Sequence, residues 1–422
     1  MFQNRSSKYS FRETFEMRPI RLAVVFDQQI RSGGGYQQAL NAALLTRELP
    51  SSLVEIIYFT TLSENIGTLL KFGIKADLIQ ITILSKVFSR FRRLITEPRL
   101  LKLVKKIQAY SLIEKHLIKH KVDLAYAISP SGWPRDLEEV NYITTVWDLS
   151  HRDDPEFPEV SSDRQLEARE EKYRSLLPRA VAIFVDSELG KHNVVHRYGI
   201  DDERVHVMPF QAAASTREST TSESRSSLDV RVKYNLDVPY VFYPAQFWAH
   251  KNHVYLLEGL RVLEEQYGIR IGAIFSGGDQ GNLAYVKSYA RNLNLEDRVR
   301  FVGFVDNDEI PELYRQSLAL VMPSYFGPTN LPPLEAFELR VPVLYSNKDG
   351  LRDQVGDAAL LMDLQDPCSM AVHLKNLVED SLLRMQLIEA GEKRLKYFDS
   401  MDRIGIMKRV LEDFRWRRLT WG

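Results

Sequence analysis

The sequence predicts an α/β protein built from two doubly wound domains with parallel sheets. Short apolar runs typical of buried parallel strands alternate with helical patterns from residue 19 to residue 398. A polar stretch, AAASTRESTTSESRSS at 212–227, interrupts that alternation and divides it into two comparable halves. We therefore predict a first domain at 19–211, a linker at 212–236 and a second domain at 237–398.

The composition is that of a globular protein, and it argues against several classes of protein. Of the 422 residues, 44% are hydrophobic and 27% are charged, and 56 Lys and Arg residues balance 56 Asp and Glu residues. That balance gives no support to a nucleic-acid partner. Cys368 is the only cysteine, which excludes an internal disulfide and favours a reducing compartment. No run of about 18 apolar residues is present, so we expect a cytoplasmic protein without a membrane span.

The two ends of the chain differ in pattern. Residues 1–18 are polar and lack the apolar core of a signal peptide, and we predict a disordered lead-in there. Residues 399–422 contain the helical pattern IGIMKRVLEDFRWRR, with Phe414, Trp416 and Trp421 at or near its end. These aromatic residues predict a helix that packs against the rest of the protein; binding of a partner protein is the alternative.

A glycine-rich turn follows the first predicted strand. The strand RLAVVFD (21–27) leads to SGGGY (32–36) and then to the helical pattern YQQALNAALLTREL. Strand, glycine loop and helix form the first unit of a Rossmann-like domain. Glycine lets the backbone approach a diphosphate, and the helix dipole favours its negative charge. A plain flexible turn is the alternative.

A second candidate anion site lies in the second domain. The buried strand LALVMPS (318–324) runs into the irregular loop 326–330, and Pro332 and Pro333 suit the first turn of a helix. Loop amides and a helix N-terminus at the carboxyl edge of a sheet bind anionic ligands. Glu335, one turn into that helix, is placed to accept hydrogen bonds from two sugar hydroxyls such as those of a ribose.

Lys251 also indicates an anion-binding site in the second domain. It follows the strand YVFYPAQF and stands at the predicted N-terminus of the helix HVYLLEGLRVLEEQYG. A lysine is electrostatically disfavoured there unless an anion lies next to it. We therefore predict that Lys251 binds an anionic ligand, with a surface lysine as the alternative.

Three runs of the second domain together resemble the retaining glycosyltransferases of family 4. They are PSYFGPTNLPPLEAF (323–337), VPVLYSN (341–347) and GLRDQVGDAALL (350–361). The resemblance implies the GT-B fold, in which two Rossmann-like domains face each other across a cleft and the final helix crosses back to the first domain. It also implies a nucleoside-diphosphate sugar as co-substrate, no further cofactor and no bound metal.

The resemblance implies a role for each matching residue. The donor diphosphate would lie against the glycine turn, the strand exit before Lys251 and the loop amides, that is, Gly34, Gly35, Gln246, Lys251, Thr329, Asn330 and Leu331. Lys251 would also stabilise the leaving group, and Glu335 would hold the ribose. The base would lie along the end of a neighbouring strand, at Gly303, Phe304 and Val305.

Three positions depart from the family pattern. Gln246 stands where the family has an arginine, and Gly327 stands where it has the first of two glutamates. Trp147 replaces the histidine of a His-Asp pair that faces the donor sugar. Asp148 keeps the place of the aspartate, and His151 is the nearest imidazole. We predict Asp148 and His151 as catalytic residues together with Lys251, with strand-end capping as the alternative for the first two.

Two further stretches allow more than one interpretation. The run KVFSRFRRLITEPRLLKLVKK (86–106) alternates basic and apolar residues, which suits peripheral contact with an anionic membrane. A solvated helix pair packed on the sheet is the alternative. Asp306, Asn307 and Asp308 resemble a metal-binding Asp-x-Asp, but their place between a strand and a helix favours helix capping.

These observations predict an enzyme that transfers a hexose-type sugar, with retention, from a nucleoside-diphosphate donor to a hydroxyl of a glycan or lipid-linked glycan. Assembly of a surface polysaccharide or of an O-antigen type glycan is the expected setting. Two alternatives are a sugar-nucleotide epimerase and a degenerate subunit that binds nucleotide or a partner without transfer. A nicotinamide dehydrogenase is excluded because SGGGYQ lacks the Gly-x-Gly-x-x-Gly spacing.

Overall fold

The computed structural model describes residues 18–29, 34–81, 110–212, 216, 228–306, 308–327 and 329–421. The basic stretch 86–106 lies outside the described residues, as does the predicted lead-in except for Arg18. The Arg18 guanidinium lies 2.7 Å from the Asp123 carboxylate, so this last residue of the lead-in is anchored to the first domain. Among the helices of the described ranges, none combines the length and the apolar character needed to cross a membrane.

The described residues of the first half form a seven-stranded parallel sheet. Its strands are β1 (Ile20–Phe26), β2 (Val54–Thr60), β3 (Ala76–Leu78), β4 (Leu124–Ala127), β5 (Asn141–Val146), β6 (Ala182–Val185) and β7 (Val205–Val207). Their spatial order is β3-β2-β1-β4-β5-β6-β7. The order reverses between β1 and β4, and in doubly wound sheets ligands bind at the carboxyl ends of the strands beside such a reversal.

Helices cover both faces of this sheet. They are α1 (Gly34–Thr46), α2 (Asn65–Lys71), α3 (Leu112–Lys119), α4 (Ser150–Asp153), α5 (Pro158–Ser161), α6 (Gln165–Leu176) and α7 (Glu188–Tyr198). Alternate residues of β1 are buried in different clusters: Leu22 and Val24 pack with α1, whereas Ala23 and Val25 pack with α3 and α6. Burial on both faces explains why these strands appear as continuous apolar runs in the sequence.

The second half forms a six-stranded parallel sheet from its described residues. Its strands are β8 (Tyr240–Pro244), β9 (Gly272–Ser276), β10 (Val299–Gly303), β11 (Leu320–Met322), β12 (Val343–Ser346) and β13 (Leu360–Met362). Their spatial order is β10-β9-β8-β11-β12-β13, with the reversal between β8 and β11. The exits of β8 and β11 carry Lys251 and the loop 326–330, so the two predicted anion-binding segments lie side by side.

Helices surround the second sheet and continue to the end of the chain. They are α8 (Val230–Lys233), α9 (His253–Tyr267), α10 (Leu283–Asn292), α11 (Ile310–Arg315), α12 (Leu331–Glu338), α13 (Leu351–Val355), α14 (Pro367–Glu379), α15 (Ser381–Asp399) and α16 (Arg403–Arg418). Helix α12 begins at Leu331 with Pro332 and Pro333 in its first turn, as predicted.

Residues 228–236, the last part of the predicted linker, do not form a solvent-exposed connection. Val230 and Leu236 are 0% and 5% exposed and belong to the core of the second sheet. Asp229 caps α8 by accepting a hydrogen bond from the N–H of Val232. These apolar side chains bury surface against the second domain, so residues 228–236 are part of that domain.

The final helix α16 packs on the first domain. Met407, Val410, Leu411 and Phe414 lie in one buried cluster with residues of β1, β2 and α1. This contact confirms the predicted return of the last helix to the first half of the chain. The aromatic residues at its end behave differently from one another: Phe414 is buried, whereas Trp416 and Trp421 are exposed. The predicted docking of this segment is therefore confirmed, and Phe414 is the member of the three that lies in the buried cluster.

Candidate active site

A cavity of about 550 Å³ opens between the carboxyl edges of the two sheets. Both domains line it, and it brings together most of the residues that the sequence predicts for the donor site. Those lining it are Gly35, Asp148, Gln246, Lys251, Thr329, Asn330 and Leu331. We refer to this space as the donor cavity.

Lys251 is the principal cation of the donor cavity. It ends a short 3-10 helix at Ala249–Lys251 that precedes α9. Its Nζ donates to Ser324 Oγ at 3.3 Å and to Asn330 Oδ1 at 3.2 Å. No carboxylate of the described residues forms an ion pair with it. Burial lowers the pKa of Lys251 to about 8, partly offset by the carboxylates of Asp148 and Glu159. A partly buried ammonium without an ion-pair partner favours an anionic ligand.

Asn330, one of the two residues that accept hydrogen bonds from Lys251, is itself held by a hydrogen-bond network. Asn330 Nδ2 donates to the Tyr345 hydroxyl at 2.7 Å, which donates to Gln354 Oε1 at 3.0 Å. Gln354 Nε2 donates in turn to the Asn330 carbonyl at 2.6 Å. Because Nδ2 is occupied, Oδ1 of Asn330 faces Lys251, which fixes the position of the ammonium.

The loop before α12 offers fewer amides than predicted. The N–H of Asn330 donates to Gln354 Oε1 at 2.9 Å, so it is not available to a diphosphate. The N–H groups of Thr329 and Leu331 have no protein acceptor among the described residues. The anion-binding capacity of this loop therefore rests on those two amides and the N-terminus of α12.

Gly35 lies in the first turn of α1 and directly faces Trp147. A Cβ at Gly35 would lie 3.0 Å from the Trp147 ring, so a side chain here would require the ring to move by a few tenths of an ångström. Trp147 also contacts Phe210 edge to face, with ring centroids 6.0 Å apart. Trp147 thus packs against the glycine turn and forms an apolar part of the wall where the family has a histidine.

Asp148 lines the donor cavity and is held as a carboxylate. Its Oδ1 accepts from the N–H of Ser150 at 3.0 Å and from Arg169 at 3.3 Å. The positive charge of Arg169 and the bonds from Ser150 outweigh burial and lower its pKa. Arg169 also lines the cavity, and the sequence analysis missed it because an arginine on a charged helix gives no signal.

His151 does not line the donor cavity, which corrects the prediction made from its spacing to Asp148. Its ring is buried, bonds Glu170 Oε1 through Nε2 at 3.0 Å and stacks on Tyr173. The short helix α4 turns the side chain away from the sheet edge. The structure therefore places His151 in the packing between α4 and α6.

Glu335 lies on α12, outside the lining of the donor cavity. Its carboxylate accepts from the Tyr314 hydroxyl at 2.9 Å. Burial raises the pKa of Glu335 to about 6, although the bond from Tyr314 opposes this rise. The ribose role of Glu335 remains a prediction.

The predicted base contacts lie at the end of β10. Gly303 has a φ of +68°, and Phe304 is 60% exposed. The Phe304 ring covers Gly278, where a Cβ would lie 2.7 Å from it. Neither Phe304 nor Val305 lines the donor cavity, and their contact with a base remains a prediction.

Three polar contacts join the two domains beside the donor cavity. Glu159 accepts from the N–H of His250 at 2.9 Å, and Lys348 Nζ donates to Asp154 at 2.8 Å. The Thr329 hydroxyl donates to Asp186. The sequence analysis did not single out Asp154, Glu159 or Asp186. Asp186 directly follows the buried strand β6, and Asp148 lies two residues after β5, so this position at a strand end was a usable signal.

The buried carboxyl of Asp186 has an unusual environment. It is 2% exposed and accepts hydrogen bonds from Ser187 and Thr329. Burial raises the pKa of Asp186 to about 7, in spite of these two bonds. The carboxyl therefore takes up a proton near neutral pH at the point where the domains meet.

Comparisons with known proteins agree with this architecture. Residues 226–394 match the sequence model of the family described as Glycosyl transferases group 1. The O-antigen chain mannosyltransferase B of Escherichia coli is 25% identical over 266 residues, which cover 63% of this chain and 68% of that protein. The chain thus spans about two thirds of the length of the curated relatives it matches.

Solved structures show the same fold. A glycosyltransferase from Rickettsia africae matches with a TM-score of 0.64 and 15% identity, covering 94% of this chain and 98% of that one. Anabaena Alr3699/HepE in complex with UDP-glucose matches with a TM-score of 0.64 and 15% identity over 93% and 98% of the two chains. The fold is therefore GT-B, and residues 226–394 are similar in sequence to the group 1 glycosyltransferases.

Proposed function

We propose that the protein transfers a hexose-type sugar from a nucleoside-diphosphate donor to a hydroxyl group of a glycan or lipid-linked glycan, with retention of configuration. The observation that carries the proposal is Lys251, an ammonium that has no ion-pair partner in the described part of the chain and lines the donor cavity together with Gly35. A solved neighbour, Anabaena Alr3699/HepE, binds UDP-glucose, which supports a nucleotide sugar as donor.

The leaving group determines what the site must supply. As the glycosidic bond breaks, negative charge builds on the diphosphate, and preorganised positive potential lowers the barrier. Lys251, the N-terminus of α1 at Gly34 and the amides of Thr329 and Leu331 supply that potential in our proposal. Gln246 adds a neutral side-chain amide where the family has an arginine. Lys251 therefore supplies a larger share of the positive charge that stabilises the departing diphosphate.

The proton of the acceptor hydroxyl needs a base. The carboxylates that line the donor cavity, among the described residues, are Asp148 and Glu159. Asp148 is engaged by Arg169 and Ser150, and Glu159 by His250. Because neither is free, we propose that the departing phosphate oxygen accepts this proton on the same face of the sugar, which leads to retention. Asp148 then orients the sugar hydroxyls.

A relative and the basic stretch of the first half bear on the acceptor and on the place of action. The relative from Escherichia coli is named as an O-antigen chain mannosyltransferase, which supports a role in surface polysaccharide assembly. We propose that the protein acts in the cytoplasm at the inner face of the membrane. Residues 86–106 would then provide the contact with anionic lipid.

Calorimetric titration tests the proposal directly. Nucleoside diphosphates and their hexose conjugates are titrated into the wild type, Lys251→Ala, Glu335→Ala and the control Lys375→Ala. Lys375 pairs with Glu379 on α14, outside the residues that line the donor cavity. We expect micromolar binding of one base by the wild type and the control, and a loss of at least about tenfold in the other two variants.

Product analysis by NMR completes the test. Transfer to a glycan acceptor with the anomeric configuration of the donor supports the proposal. Isomerisation of the donor without an acceptor supports an epimerase instead. Binding without transfer or isomerisation supports a degenerate subunit, and no binding of any nucleotide contradicts the donor site itself.

A further inference from the structure

A cavity of about 250 Å³ lies where the chain passes between the two domains. The first passage is at 208–212: Met208 packs against the core of the first sheet, whereas Ala212 belongs to the core of the second. The return passage is at 399–404, from the end of α15 to the start of α16. We call this space, which α1 closes on one side, the hinge cavity. Among the described residues, none lines both the hinge cavity and the donor cavity.

Hydrogen bonds hold the walls of the hinge cavity in place. Arg403 Nε donates to the Pro209 carbonyl at 3.1 Å, which joins the two passages to each other. Asn41 Nδ2, on α1, donates to the carbonyls of Gln211 and Ala212 at 3.2 Å and 3.4 Å. The cavity is therefore a defined space between bonded elements.

Asn41 is a buried side chain of the cavity wall with one unused hydrogen-bonding group. It is 6% exposed, and its Oδ1 has no hydrogen-bond partner in the described part of the chain. The two linker carbonyls fix the orientation of the amide, because only Nδ2 can donate to them. A buried acceptor without a hydrogen bond is unfavourable, so a ligand with an N–H group would be stabilised beside it.

The charged residues of the wall favour a cation. Glu48, Asp399 and Asp402 line the cavity with one guanidinium, that of Arg403, so carboxylates are in excess. Asp402 caps α16 and lies 3.5 Å from Arg409. Glu48 and Asp399 are exposed, and neither forms an ion pair or a side-chain hydrogen bond with another described residue. These two carboxylates are available to a positively charged ligand.

The remaining features favour an organic cation over a metal ion. Within the described ranges, no group of three His, Cys, Asp or Glu side chains is arranged to hold a metal. The cavity is also much larger than a single ion requires, and Leu44, Leu45 and Met401 add apolar surface to its wall. Glu48 belongs to the first domain and Asp399 to the last turn of α15 in the second. A short aliphatic chain with an ammonium at each end matches this arrangement.

We propose that the hinge cavity binds a small aliphatic diamine, whose ammonium groups are held by Glu48 and Asp399 and which donates one N–H group to Asn41 Oδ1. Because the two carboxylates belong to different domains, the bound diamine also restrains the passages between them. Neither statement depends on the proposed glycosyl transfer.

Three variants and one control test the site. Glu48→Gln and Asp399→Asn remove one charge each with little change of shape, and both positions are exposed, so the fold should be kept. Asn41→Leu removes the unpartnered Oδ1 together with the bonds to the linker. Should Asn41→Leu fail to fold, the two carboxylate variants decide. Glu203→Gln is the control, because Glu203 is an exposed carboxylate outside the hinge cavity.

The first arm is calorimetry at low ionic strength with 1,4-diaminobutane, butylamine and magnesium chloride. We expect a Kd of about 1 mM or below for the diamine with the wild type and Glu203→Gln, and binding weakened about fivefold or more in the three cavity variants. Butylamine, with one ammonium, should bind at least about tenfold more weakly. No binding of the diamine, or equal binding by both carboxylate variants, overturns the proposal. Magnesium binding of equal strength that is lost in the same variants assigns the cavity to a metal ion and overturns it as well.

The second arm measures the restraint by hydrogen exchange, without any nucleotide. At saturating 1,4-diaminobutane, the amides of residues 210–212 and 400–404 should exchange about threefold or more slowly in the wild type. The same rates should stay unchanged in Glu48→Gln at that concentration. Binding of the diamine with unchanged exchange at both passages would contradict the restraint. Because neither arm uses a nucleotide sugar, a failure of the transferase proposal leaves both results interpretable.

Discussion

The Glu159 carboxylate of the first domain binds two nitrogen atoms of His250 in the second domain. Its Oε1 accepts from the backbone N–H at 2.9 Å and from the ring Nδ1. Burial lowers the pKa of His250 to about 4, so the ring is neutral at physiological pH and Nδ1–H is the donor. Because Lys251 is the next residue, this contact couples the approach of the two domains to the position of the proposed phosphate ligand.

Removal of this carboxylate should open the cleft. Phe157, close to Glu159 in the chain, packs against Tyr325 and Phe326 of the second domain, with ring centroids 5.2 Å and 5.5 Å apart. We predict that Glu159→Ala shifts the ensemble toward open forms, because a buried hydrogen-bonded carboxylate contributes about 1–3 kcal/mol.

Small-angle X-ray scattering and donor titration measure this effect. The radius of gyration should increase, and the affinity for the nucleoside diphosphate should fall by about tenfold. Glu156→Ala is the control, because Glu156 is exposed three residues earlier. An unchanged radius of gyration in Glu159→Ala would show that the contact does not hold the domains together.

Donor binding should depend on the protonation of Lys251. Its pKa is lowered to about 8, so in the free protein the ammonium loses its charge as the pH rises above that value. The uncharged amine attracts a diphosphate much less, and Kd should therefore rise between about pH 8 and pH 9.5. Titrations across this range should show the rise in the wild type and its absence in Lys251→Met. Equal pH dependence in both proteins would assign the effect to another group.

Much of the fold follows from local patterns in the sequence. The strands LALVMPS and YVFYPAQF, with their irregular exits, identify Lys251 and the loop 326–330 as neighbours, because parallel strands end at one edge of a sheet. Both domains and the return of the last helix can be predicted in the same way. Local periodicity and glycine or proline positions decide these features, and both are visible in a single chain.

The environments of residues at the contacts between the domains could not be predicted in this way, even where a strand end marks the position. Glu159 and Asp186 acquire their environment from His250 and Thr329, which are 91 and 143 positions away in the chain. His151 was predicted in the active site because it follows Asp148 by three residues. The turn of α4 instead directs its ring into the domain. Side-chain direction after a strand end depends on packing that a single sequence does not reveal.

The return of α16 should contribute strongly to stability. Phe414 and Leu411 are 3% and 0% exposed in the cluster shared with the first domain. We predict that Phe414→Ala lowers the free energy of unfolding by about 3–5 kcal/mol and Leu411→Ala by about 2–5 kcal/mol. Trp416→Ala, on the exposed face of the same helix, should change it by about 0.5 kcal/mol or less. Urea denaturation measures all three, and a similar loss in Trp416→Ala would contradict the assigned packing.

Asp186 should make the stability of the closed protein depend on pH. Its pKa is raised to about 7 from the ordinary value of 3.8, so the folded protein binds a proton more tightly than the unfolded chain. Stability is then highest while the carboxyl is protonated in both states and falls as the pH rises from about 4 to about 7. Above that range the protein carries a buried charge, supported by hydrogen bonds from Thr329 and Ser187.

Replacement of Asp186 by asparagine removes this titration, because the side-chain amide has the same shape as the carboxyl and does not ionise. We predict that Asp186→Asn equals the wild type in unfolding free energy at about pH 4 or below and exceeds it at pH 8 by an amount on the order of a few kcal/mol. Asp308→Asn is the control, because Asp308 is exposed on the surface. If Asp186→Asn is instead less stable than the wild type at pH 8, the ionised carboxylate stabilises the contact with Thr329, and the raised pKa of Asp186 is contradicted.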